Sequence, residues 1–413
     1  MSKPYIISGI DIGNSQIKVA IAKIERESLW PEIIGAGSVP SNGLRRGVVV
    51  DMEETVESIR SAVQRAEAMA GMPLKRAYLA VNGLHIRSQV SRGVIAVSRA
   101  DNEISQSDID RVLQAASVVS MPANREIIHV IPRNFIVDGN EYIKNPLGMK
   151  GVRLEAEVSI IDGLSPHLKN IAKCVNENDI EVSGLVFAPL AASFAVLDKN
   201  QKEYGVMNLD FGGGTSTLTV FEEAELIHSA VLPIGSKHIT NDLAVALRTS
   251  IDVAERIKLE HCSTSEGEDM RRKEILDLSK IMEEEGYIIP KKNLIRVVDA
   301  RASELLDMVT NELKKVSKSG LLPAGVVLSG GGANLPGLAL MVKEKLRLPV
   351  RIARTTASGV ADAVMDPSYA VAAGLIMWGF DQEFNGQKSR VNQFSQGEDI
   401  FKKFVGWLKN FLP

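Results

Sequence analysis

The chain has 413 residues, enough for two domains or more, and 45% of them are hydrophobic, which supports well-filled cores. It carries 48 basic and 51 acidic residues, so it lacks the basic field that neutralises nucleic-acid phosphates, and nucleic acid is not an expected partner. Only Cys174 and Cys262 are present, which fits a reducing cytoplasm and predicts no disulfide framework. No apolar run reaches about 18 residues, so we expect neither export nor a membrane span.

The first predicted element is a strand, a turn and a second strand near the N-terminus. An apolar run over residues 5–10 leads into the turn, and another over residues 17–21 leads out of it. Glycine lets backbone N–H groups approach an anion, and hydroxyl groups add donors. A carboxylate repels phosphate, so the aspartate that ends the first strand would hold a Mg²⁺ ion. The candidate binding residues of this turn are Asp11, Gly13, Asn14, Ser15, Gln16 and Lys18.

A helix is predicted after Asp51, which with Glu54 forms a capping-box-like start. Residues 79–81 then predict a short buried strand that ends at Gly83, and an inserted α/β module is expected over residues 84–162. The module contains no phosphate-binding turn, so it favours contacts over chemistry. Its predicted elements are the strands His85–Val90, Val94–Val97, Ile127–Val137 and Val152–Ile160 and the helix Ser107–Ala116.

A second strand, turn and strand follows at residues 206–221, and its Asp210 lies 199 positions after Asp11 (210 − 11). Three glycines in a row predict positive φ angles and a close approach to phosphate. Taken alone, this stretch favours an ordinary β-hairpin with a Gly-rich turn, and only the other two stretches shift the balance to a nucleotide site. The candidate residues here are Asp210 for the metal and Gly212, Gly213, Gly214, Thr215 and Ser216 for the phosphates.

Two further candidate sites lie beyond the second turn. Glu255 and Lys258 stand at i, i+3 on a predicted helix, where a solvated ion pair is the alternative to a binding role. Residues 326–328 predict a strand that runs into a Gly-rich loop, on whose backbone a base or ribose could lie. The loop residues concerned are Gly330, Gly331, Gly332 and Asn334.

The last segment has a different character. Residues 381–399 are rich in polar and charged residues and predict a disordered linker. Residues 400–413 would span only about 21 Å as a helix, too short for a bilayer of about 30 Å, so they predict an interfacial amphipathic helix. A helix docked on the body of the protein is the alternative. The apolar arc consists of Ile400, Phe401, Phe404, Val405, Trp407, Leu408, Phe411 and Leu412.

The paired Asp-Gly turns and the Gly-rich loop resemble the phosphate and adenosine motifs of the actin, hexokinase and 70-kDa heat-shock protein superfamily. With the insertion after Gly83 and the amphipathic tail, the whole chain resembles the FtsA family of bacterial actin-related cell-division proteins. The resemblance implies two duplicated actin-like (ribonuclease H-like) α/β domains around a cleft for ATP and Mg²⁺. It also implies that Glu255 and Lys258 hold the ribose and pack against the base.

Two positions depart from the pattern of the relatives. Many relatives have a lysine at the place of Gln16, which puts weight on Lys18 as the cation near the phosphates. A connecting helix of the superfamily often begins with a Glu or Gln that orients the attacking water, whereas Ala188 and Pro189 stand here. We therefore expect at most a slow ATPase, with Asp210 the one candidate for a direct part in catalysis.

The resemblance implies a peripheral protein of the division site, on the cytoplasmic face of the inner membrane. Its implied partners are the tubulin-like protein FtsZ, other copies of itself, later division proteins and membrane lipids. A small-molecule kinase of the same superfamily and an actin-like pilus-assembly scaffold are the alternatives. The predicted parts are 1–83 and 163–204 for the first domain with the insertion at 84–162, 205–380 for the second domain with its outer subdomain at about 234–313, 381–399 for the linker and 400–413 for the membrane helix.

Overall fold

The computed structural model describes residues 4–25, 30–119, 121–265, 274–282, 287–318, 320–355, 358–359 and 364–385. Every residue predicted for the nucleotide site lies inside these ranges. The predicted amphipathic segment, 400–413, lies outside the described residues, as do residues 386–399 of the predicted linker.

A six-stranded sheet forms the first half of the molecule. Its strands are Tyr5–Ile12 (β1), Gln16–Ile24 (β2), Glu32–Pro40 (β3), Arg76–Val81 (β6), Glu181–Phe187 (β11) and Ser358–Gly359 (β19), and the small ladder Leu44–Arg45 (β4) with Val48–Val49 (β5) follows β3. β1 and β2 form an antiparallel hairpin that β3 extends. β6 pairs parallel with β1, and β11 pairs parallel with β6, so the order is β11-β6-β1-β2-β3-β19.

A five-stranded sheet in the second half repeats this arrangement. Its strands are Val206–Phe211 (β12), Ser216–Glu222 (β13), Glu225–Leu232 (β14), Val326–Ser329 (β17) and Val350–Ile352 (β18). β12 and β13 form the antiparallel hairpin, β14 extends it, and β17 and β18 add in parallel on the other side. The order β18-β17-β12-β13-β14 therefore matches β11-β6-β1-β2-β3, as duplicated halves require.

Helices cover these sheets. They are Met52–Ala70 (α1), Gln106–Ser117 (α2), Ser165–Asn176 (α3), Ala188–Val196 (α4), Lys199–Tyr204 (α5), Ser236–Leu247 (α6), Ile251–His261 (α7), Ser279–Met282 (α8), Lys291–Lys315 (α9), Leu338–Leu346 (α10) and Ala370–Phe380 (α11). The cap predicted for α1 is present, because the Asp51 side chain accepts a hydrogen bond from the Glu54 amide at 3.0 Å. Gly71, in the left-handed region, ends that helix.

The two small-residue helices, α4 and α11, pack against each other at the centre of the molecule. A Cβ atom on Gly374 would lie 1.9 Å from the backbone oxygen of Ala191, so the helices meet backbone to backbone. Every residue of α11 from Ala370 to Gly379 is buried. The small residues that the sequence shows here are therefore explained by this crossing.

The inserted module is a four-stranded antiparallel sheet with α2 packed on it. Its strands are Arg87–Ala96 (β7), Arg125–Val137 (β8), Asn140–Ile143 (β9) and Arg153–Leu164 (β10), in the order β7-β10-β8-β9. The prediction of two separate strands at 85–90 and 94–97 is wrong, because β7 pairs with β10 over its whole length. Gly93 does not turn the chain. A Cβ atom there would lie 2.3 Å from the amide nitrogen of Ala116, so this glycine admits α2.

The rest of the second half is an outer layer of α6, α7, α8 and α9 with a small ladder of two strands, Ile275–Asp277 (β15) and Ile288–Pro290 (β16). Each half and the insertion have their own cluster of buried apolar side chains. The limits of the domains stay predictions. Among the residues that the structure describes, no helix is long and apolar enough to cross a bilayer.

Candidate functional site

The two Asp-Gly turns have the same geometry. A Cβ atom on Gly13 would lie 2.7 Å from the backbone oxygen of Gln16, and one on Gly212 would lie 2.7 Å from that of Thr215. Within each pair the two residues are three positions apart. The second pair follows the first by 199 positions, the same offset that separates Asp210 from Asp11. The fold therefore requires glycine at the same point of each hairpin, where the chain folds back on itself.

The turns face each other across a narrow cleft. A Cβ atom on Gly213 would lie 2.0 Å from Oγ of Ser15, and one on Gly214 would lie 2.8 Å from Cγ of Asn14. The expectation of positive φ angles is wrong, because none of Gly212, Gly213 and Gly214 lies in that region. Their lack of a side chain serves close approach instead, because the side chains of Ser15 and Asn14 occupy the space that a Cβ atom would need.

Helix α6 begins against the second turn. The amides of Ser236 and Lys237 donate to the backbone oxygens of Gly212 and Gly213 at 2.8 and 2.9 Å. The buried hydroxyl of Ser216 donates to the backbone oxygen of Ile234 at 2.6 Å. These hydrogen bonds hold the turn against the N-terminal end of α6. They also occupy the carbonyl oxygens of the turn, which would otherwise repel an anion.

Two contacts join the halves at the turns, and the sequence analysis missed both. Nζ of Lys237 donates to the backbone oxygen of Asn14 at 2.7 Å. Nδ2 of Asn82, at the end of β6, donates to Oγ1 of Thr215 at 3.4 Å. Oε1 of the predicted ligand Gln16 accepts a hydrogen bond from Oγ of Ser38 on β3 at 3.3 Å.

The two aspartates predicted to hold the metal lie at the carboxyl ends of β1 and β12. Burial raises the pKa of Asp11 to about 7, although the charge of Lys18 opposes this rise. Burial also raises the pKa of Asp210, whose carboxylate accepts a hydrogen bond from Oγ of Ser329 at 3.0 Å. Burial thus disfavours the ionised form of both carboxyl groups. A divalent cation bound between them would stabilise that ionised form.

A buried lysine lies among these carboxylates. Lys18 is directly opposite Asp11 in the β1–β2 register, and it is only 7% exposed. Burial lowers its pKa, while the charges of Asp11, Asp210 and Asp366 raise it. Its Nζ lies 5.5 Å from the centre of the Tyr369 ring. The structure thus brings the predicted cation, Lys18, to the two predicted metal ligands.

The Gly-rich loop after β17 approaches the second hairpin closely. Gly330 has a φ of 82°, and a Cβ atom there would lie 2.7 Å from the backbone oxygen of Phe211. A Cβ atom on Gly332 would lie 2.4 Å from the Phe211 ring. Asn334 donates from Nδ2 to the Asp366 carboxylate at 3.0 Å, which links the loop to the start of α11. Gly331 has open space beside it, with its nearest neighbour, Cβ of Ser368, 3.8 Å away.

The Glu255–Lys258 pair is not the solvated ion pair that the sequence left open. Nζ of Lys258 lies 2.7 Å from Oε2 of Glu255, and the Lys258 residue is 8% exposed. The same Nζ donates to Oγ1 of Thr240 on α6 at 2.9 Å, and that hydroxyl donates to Glu255. Thr240 is a residue that sequence reasoning missed, because it belongs to a different helix.

The first connecting helix carries no acid or base at its start. Ala188 is the first residue of α4 and is 4% exposed, and Pro189 follows it.

The described residues also contain no group of three or more His, Cys, Asp or Glu side chains able to hold a metal by themselves. A metal at this site would therefore need ligands from a bound molecule or from water.

The matched halves and the cleft between them define a protein of the actin-like class. Among solved structures, the PilM-PilN type IV pilus biogenesis complex aligns with a TM-score of 0.65 at 15% identity, over 90% of this chain and 98% of that one. MreB5 of Spiroplasma citri bound to ADP aligns with a TM-score of 0.53 at 14% identity, over 93% and 99%. At such identities the likeness shows the fold alone.

Sequence comparison is more specific. Residues 207–374 match the family model of the cell division protein FtsA, and residues 83–162 match that of the SHS2 domain inserted in FtsA. The FtsA protein of Pseudomonas aeruginosa is 35% identical over 98% of this chain and 97% of its own length. That of Bacillus subtilis is 39% identical over 92% and 84%. The chain belongs to the FtsA family of cell-division proteins.

Proposed function

We propose that this protein binds ATP with Mg²⁺ in the cleft, assembles with copies of itself, and tethers filaments of FtsZ to the cytoplasmic face of the inner membrane at the division site. The observation that carries the nucleotide part is the pair of matched turns with Asp11, Asp210 and Lys18 between them. MreB5, which shares the fold, has been solved with ADP, which is consistent with nucleotide in such a cleft.

The residues present fit a metal nucleotide. Gly213 lets the second turn approach Ser15 closely, because only a residue without a side chain fits against the Ser15 hydroxyl, and that hydroxyl is a donor that suits phosphate oxygens. Asp11 and Asp210 would hold Mg²⁺, in part through water, and Lys18 would balance the remaining negative charge. Gly330, Gly331 and Gly332 would support the base, and Glu255 with Lys258 would bind the ribose.

Turnover would be slow. Orienting a water molecule for attack on phosphate needs a base or an amide within hydrogen-bond reach, and Ala188 and Pro189 supply neither. The switch would then be nucleotide binding and the closure of the two halves that it stabilises. A purified sample that hydrolyses many ATP molecules per second without a partner would contradict this part.

The membrane part rests on the sequence of residues 400–413, and the partners rest on membership of the family. The apolar arc of that segment suits the interface of a bilayer, and its lysines suit anionic headgroups. Residues 234–313 are the proposed place of the FtsZ contact, and later division proteins are the further proposed partners.

The test is the affinity for ATP with and without Mg²⁺, measured by isothermal titration. Asp210→Ala should lose roughly tenfold or more in affinity when Mg²⁺ is present, about 1.4 kcal/mol for each factor of ten. Asp307→Ala is the matched control, because the Asp307 side chain is 65% exposed and pairs with Lys345 on the outer surface. Equal affinities for wild type and Asp210→Ala would show that ATP and Mg²⁺ do not bind at Asp210 in the cleft.

A second test measures the tether. Wild-type protein with ATP should carry FtsZ filaments into the pellet with lipid vesicles, whereas protein lacking residues 400–413 should leave them in the supernatant. Phosphoryl transfer to sugars or acetate, assayed on the same preparation, would instead favour a small-molecule kinase.

A further inference from the structure

Four aromatic side chains lie together where the described chain ends at Asn385. The rings of Trp30 and Phe380 stack at 6.5 Å, those of Phe380 and Phe384 stack at 5.3 Å, and the rings of Phe384 and Tyr5 meet edge to face at 5.2 Å. We call these four residues the exit patch. They come from three distant parts of the sequence, so only the fold assembles them.

The segment that carries Phe384 is fixed to the first half. Residues Asp381–Asn385, which the sequence assigned to a disordered linker, form one π-helical turn that continues α11. Oε1 of Glu383 accepts a hydrogen bond from the Tyr78 hydroxyl at 3.0 Å, and its other oxygen lies 3.8 Å from the Arg76 guanidinium. The prediction of a linker is therefore wrong for these five residues.

The exit patch lies at the end of the first sheet that faces away from the cleft. Tyr5 begins β1 beside Ile24 at the end of β2, and Trp30 precedes β3. Asp11 is six positions further along β1 (11 − 5), which is about 20 Å in a strand. A surface that contacts the patch would thus leave the nucleotide cleft open.

The outer rings of the patch are exposed. Trp30 is 57% exposed and Phe384 is 48% exposed, although Phe380 between them is largely covered. Packing inside the patch accounts for the covered ring faces. It does not account for two large aromatic side chains that stay about half exposed on either side of Phe380, which is the usual mark of a contact surface.

Five charged side chains near the patch are paired in the described residues. Nζ of Lys23 lies 3.1 Å from the Glu25 carboxylate and 3.0 Å from the Glu32 carboxylate, and Glu383 faces Arg76. Within the described part of the chain, the patch therefore presents aromatic rings with a rim of paired charges. Such a surface suits the interface region of a bilayer, where Trp and other aromatic rings concentrate.

We propose that the exit patch is a second membrane contact, which lies directly on the lipid interface beside the point where the chain leaves for residues 400–413. This rests on the proposed membrane function. Residue 400 follows Asn385 by 15 positions (400 − 385). A random coil of that length has an r.m.s. end-to-end distance of roughly 20 Å. One amphipathic helix binds a membrane weakly. A second contact held within that distance of the bound helix stays at a high effective concentration near the lipid surface, and this raises the overall affinity for the membrane.

The chain offers its own probe. It contains three tryptophans, of which Trp378 is fully buried and Trp407 lies in the proposed membrane helix. Trp407→Phe keeps an aromatic residue in the helix and leaves Trp30 as the one tryptophan that lipid could reach. With vesicles of phosphatidylcholine and phosphatidylglycerol that carry bromine on their acyl chains, we expect Trp30 emission to fall by about a third or more.

A second readout uses intact Trp407. Trp30→Ser with Phe384→Ser should weaken vesicle binding about threefold to tenfold, because two partly buried rings are lost. The loss should be the same on neutral and on anionic vesicles. Tyr204→Ser is the matched control, because Tyr204 is an aromatic residue that is 67% exposed on α5 and is not one of the four patch residues.

The outcomes separate the two proposals. If Trp407→Phe protein pellets with vesicles but Trp30 is not quenched, and the double variant binds as wild type does, the exit patch is not a lipid contact and the proposed function stands. If wild type neither pellets nor shows quenching of its tryptophan emission, the membrane function itself fails. A shift of Trp30 emission on removal of residues 400–413 without lipid would overturn the inference in favour of a docked tail.

Discussion

Lys237 and Asn14 connect the two halves of the protein across the cleft, with Nζ of the lysine 2.7 Å from the backbone oxygen of the asparagine. Lys237 lies on the first turn of α6, which is itself bonded to the second hairpin. Burial lowers the pKa of Lys237, whereas the charge of Glu255 raises it. The ammonium group of the second half thus rests on the first turn, while the backbone amide of the same residue is bonded to the second turn.

Lys237→Met should loosen the closed cleft. The hydrogen bond is partly exposed, so its loss should lower the free energy of opening the cleft by about 1 kcal/mol. This corresponds to roughly fivefold faster hydrogen exchange of the amides in the first turn. Hydrogen exchange read by mass spectrometry on residues 12–17 of the nucleotide-free protein checks this. Lys292→Met, at an exposed position on α9, should leave the exchange unchanged. Equal protection in all three proteins would show that the contact does not hold the halves.

Gly213→Ala should push the two turns apart, because its Cβ atom would lie 2.0 Å from Oγ and 2.9 Å from Cβ of Ser15. We expect nucleotide affinity to fall about tenfold or more. Ser15→Gly in the same chain removes the clashing atoms and should restore part of the affinity. Gly184→Ala is the control, since its Cβ atom would only touch the Tyr78 ring at 3.5 Å. Failure of the second substitution to restore any binding would argue against the clash.

The affinity for Mg²⁺ and ATP should depend on pH through Asp11. Burial raises the pKa of this carboxyl to about 7 in the folded protein, so the neutral form predominates below that pH. A metal binds the ionised form, so affinity should rise with pH up to about 7 and then level off, with a proton released on binding. Titrations in buffers of different ionisation enthalpy measure this proton, and Asp11→Asn should abolish it.

The same pKa fixes the sign of a stability effect. A carboxyl whose pKa is higher in the folded than in the unfolded state stabilises the fold most below the ordinary pKa of 3.8. This contribution is lost as pH rises through about 7. The melting temperature of the nucleotide-free protein should therefore respond less to a rise in pH from 5 to 8 in Asp11→Asn than in wild type.

Trp407→Glu places a charge within the apolar arc of residues 400–413. It should weaken vesicle binding roughly tenfold or more, because an interfacial helix gains little free energy beyond the burial of its apolar side chains. Assembly multiplies the effect, since many weak tails act together on one surface. Sedimentation with vesicles measures it, and ATP affinity should not change. Equal sedimentation of the two proteins under assembling conditions would return the docked-helix alternative to first place.

Much of the fold follows from local pattern. The strand, Asp, Gly turn and hydroxyl order at Asp11 recurs at Asp210, and both stretches fold as hairpins because alternating apolar runs and a glycine turn are sufficient for that. The pattern did not reveal why glycine was needed. At Gly93 and Gly213 the reason is contact with a distant element, which a stretch of sequence does not contain.

The sequence by itself determined the two turns, the candidate metal ligands and the amphipathic character of residues 400–413, because each depends on neighbours a few positions apart. Tertiary structure alone decided what meets those residues. Lys237 reaches Asn14 over 223 positions, and Trp30 stacks on Phe380 over 350 (380 − 30). The backbone crossing of Gly374 and Ala191 brings α4 and α11 together between the halves, and side chains on separate segments can meet only after such packing has formed.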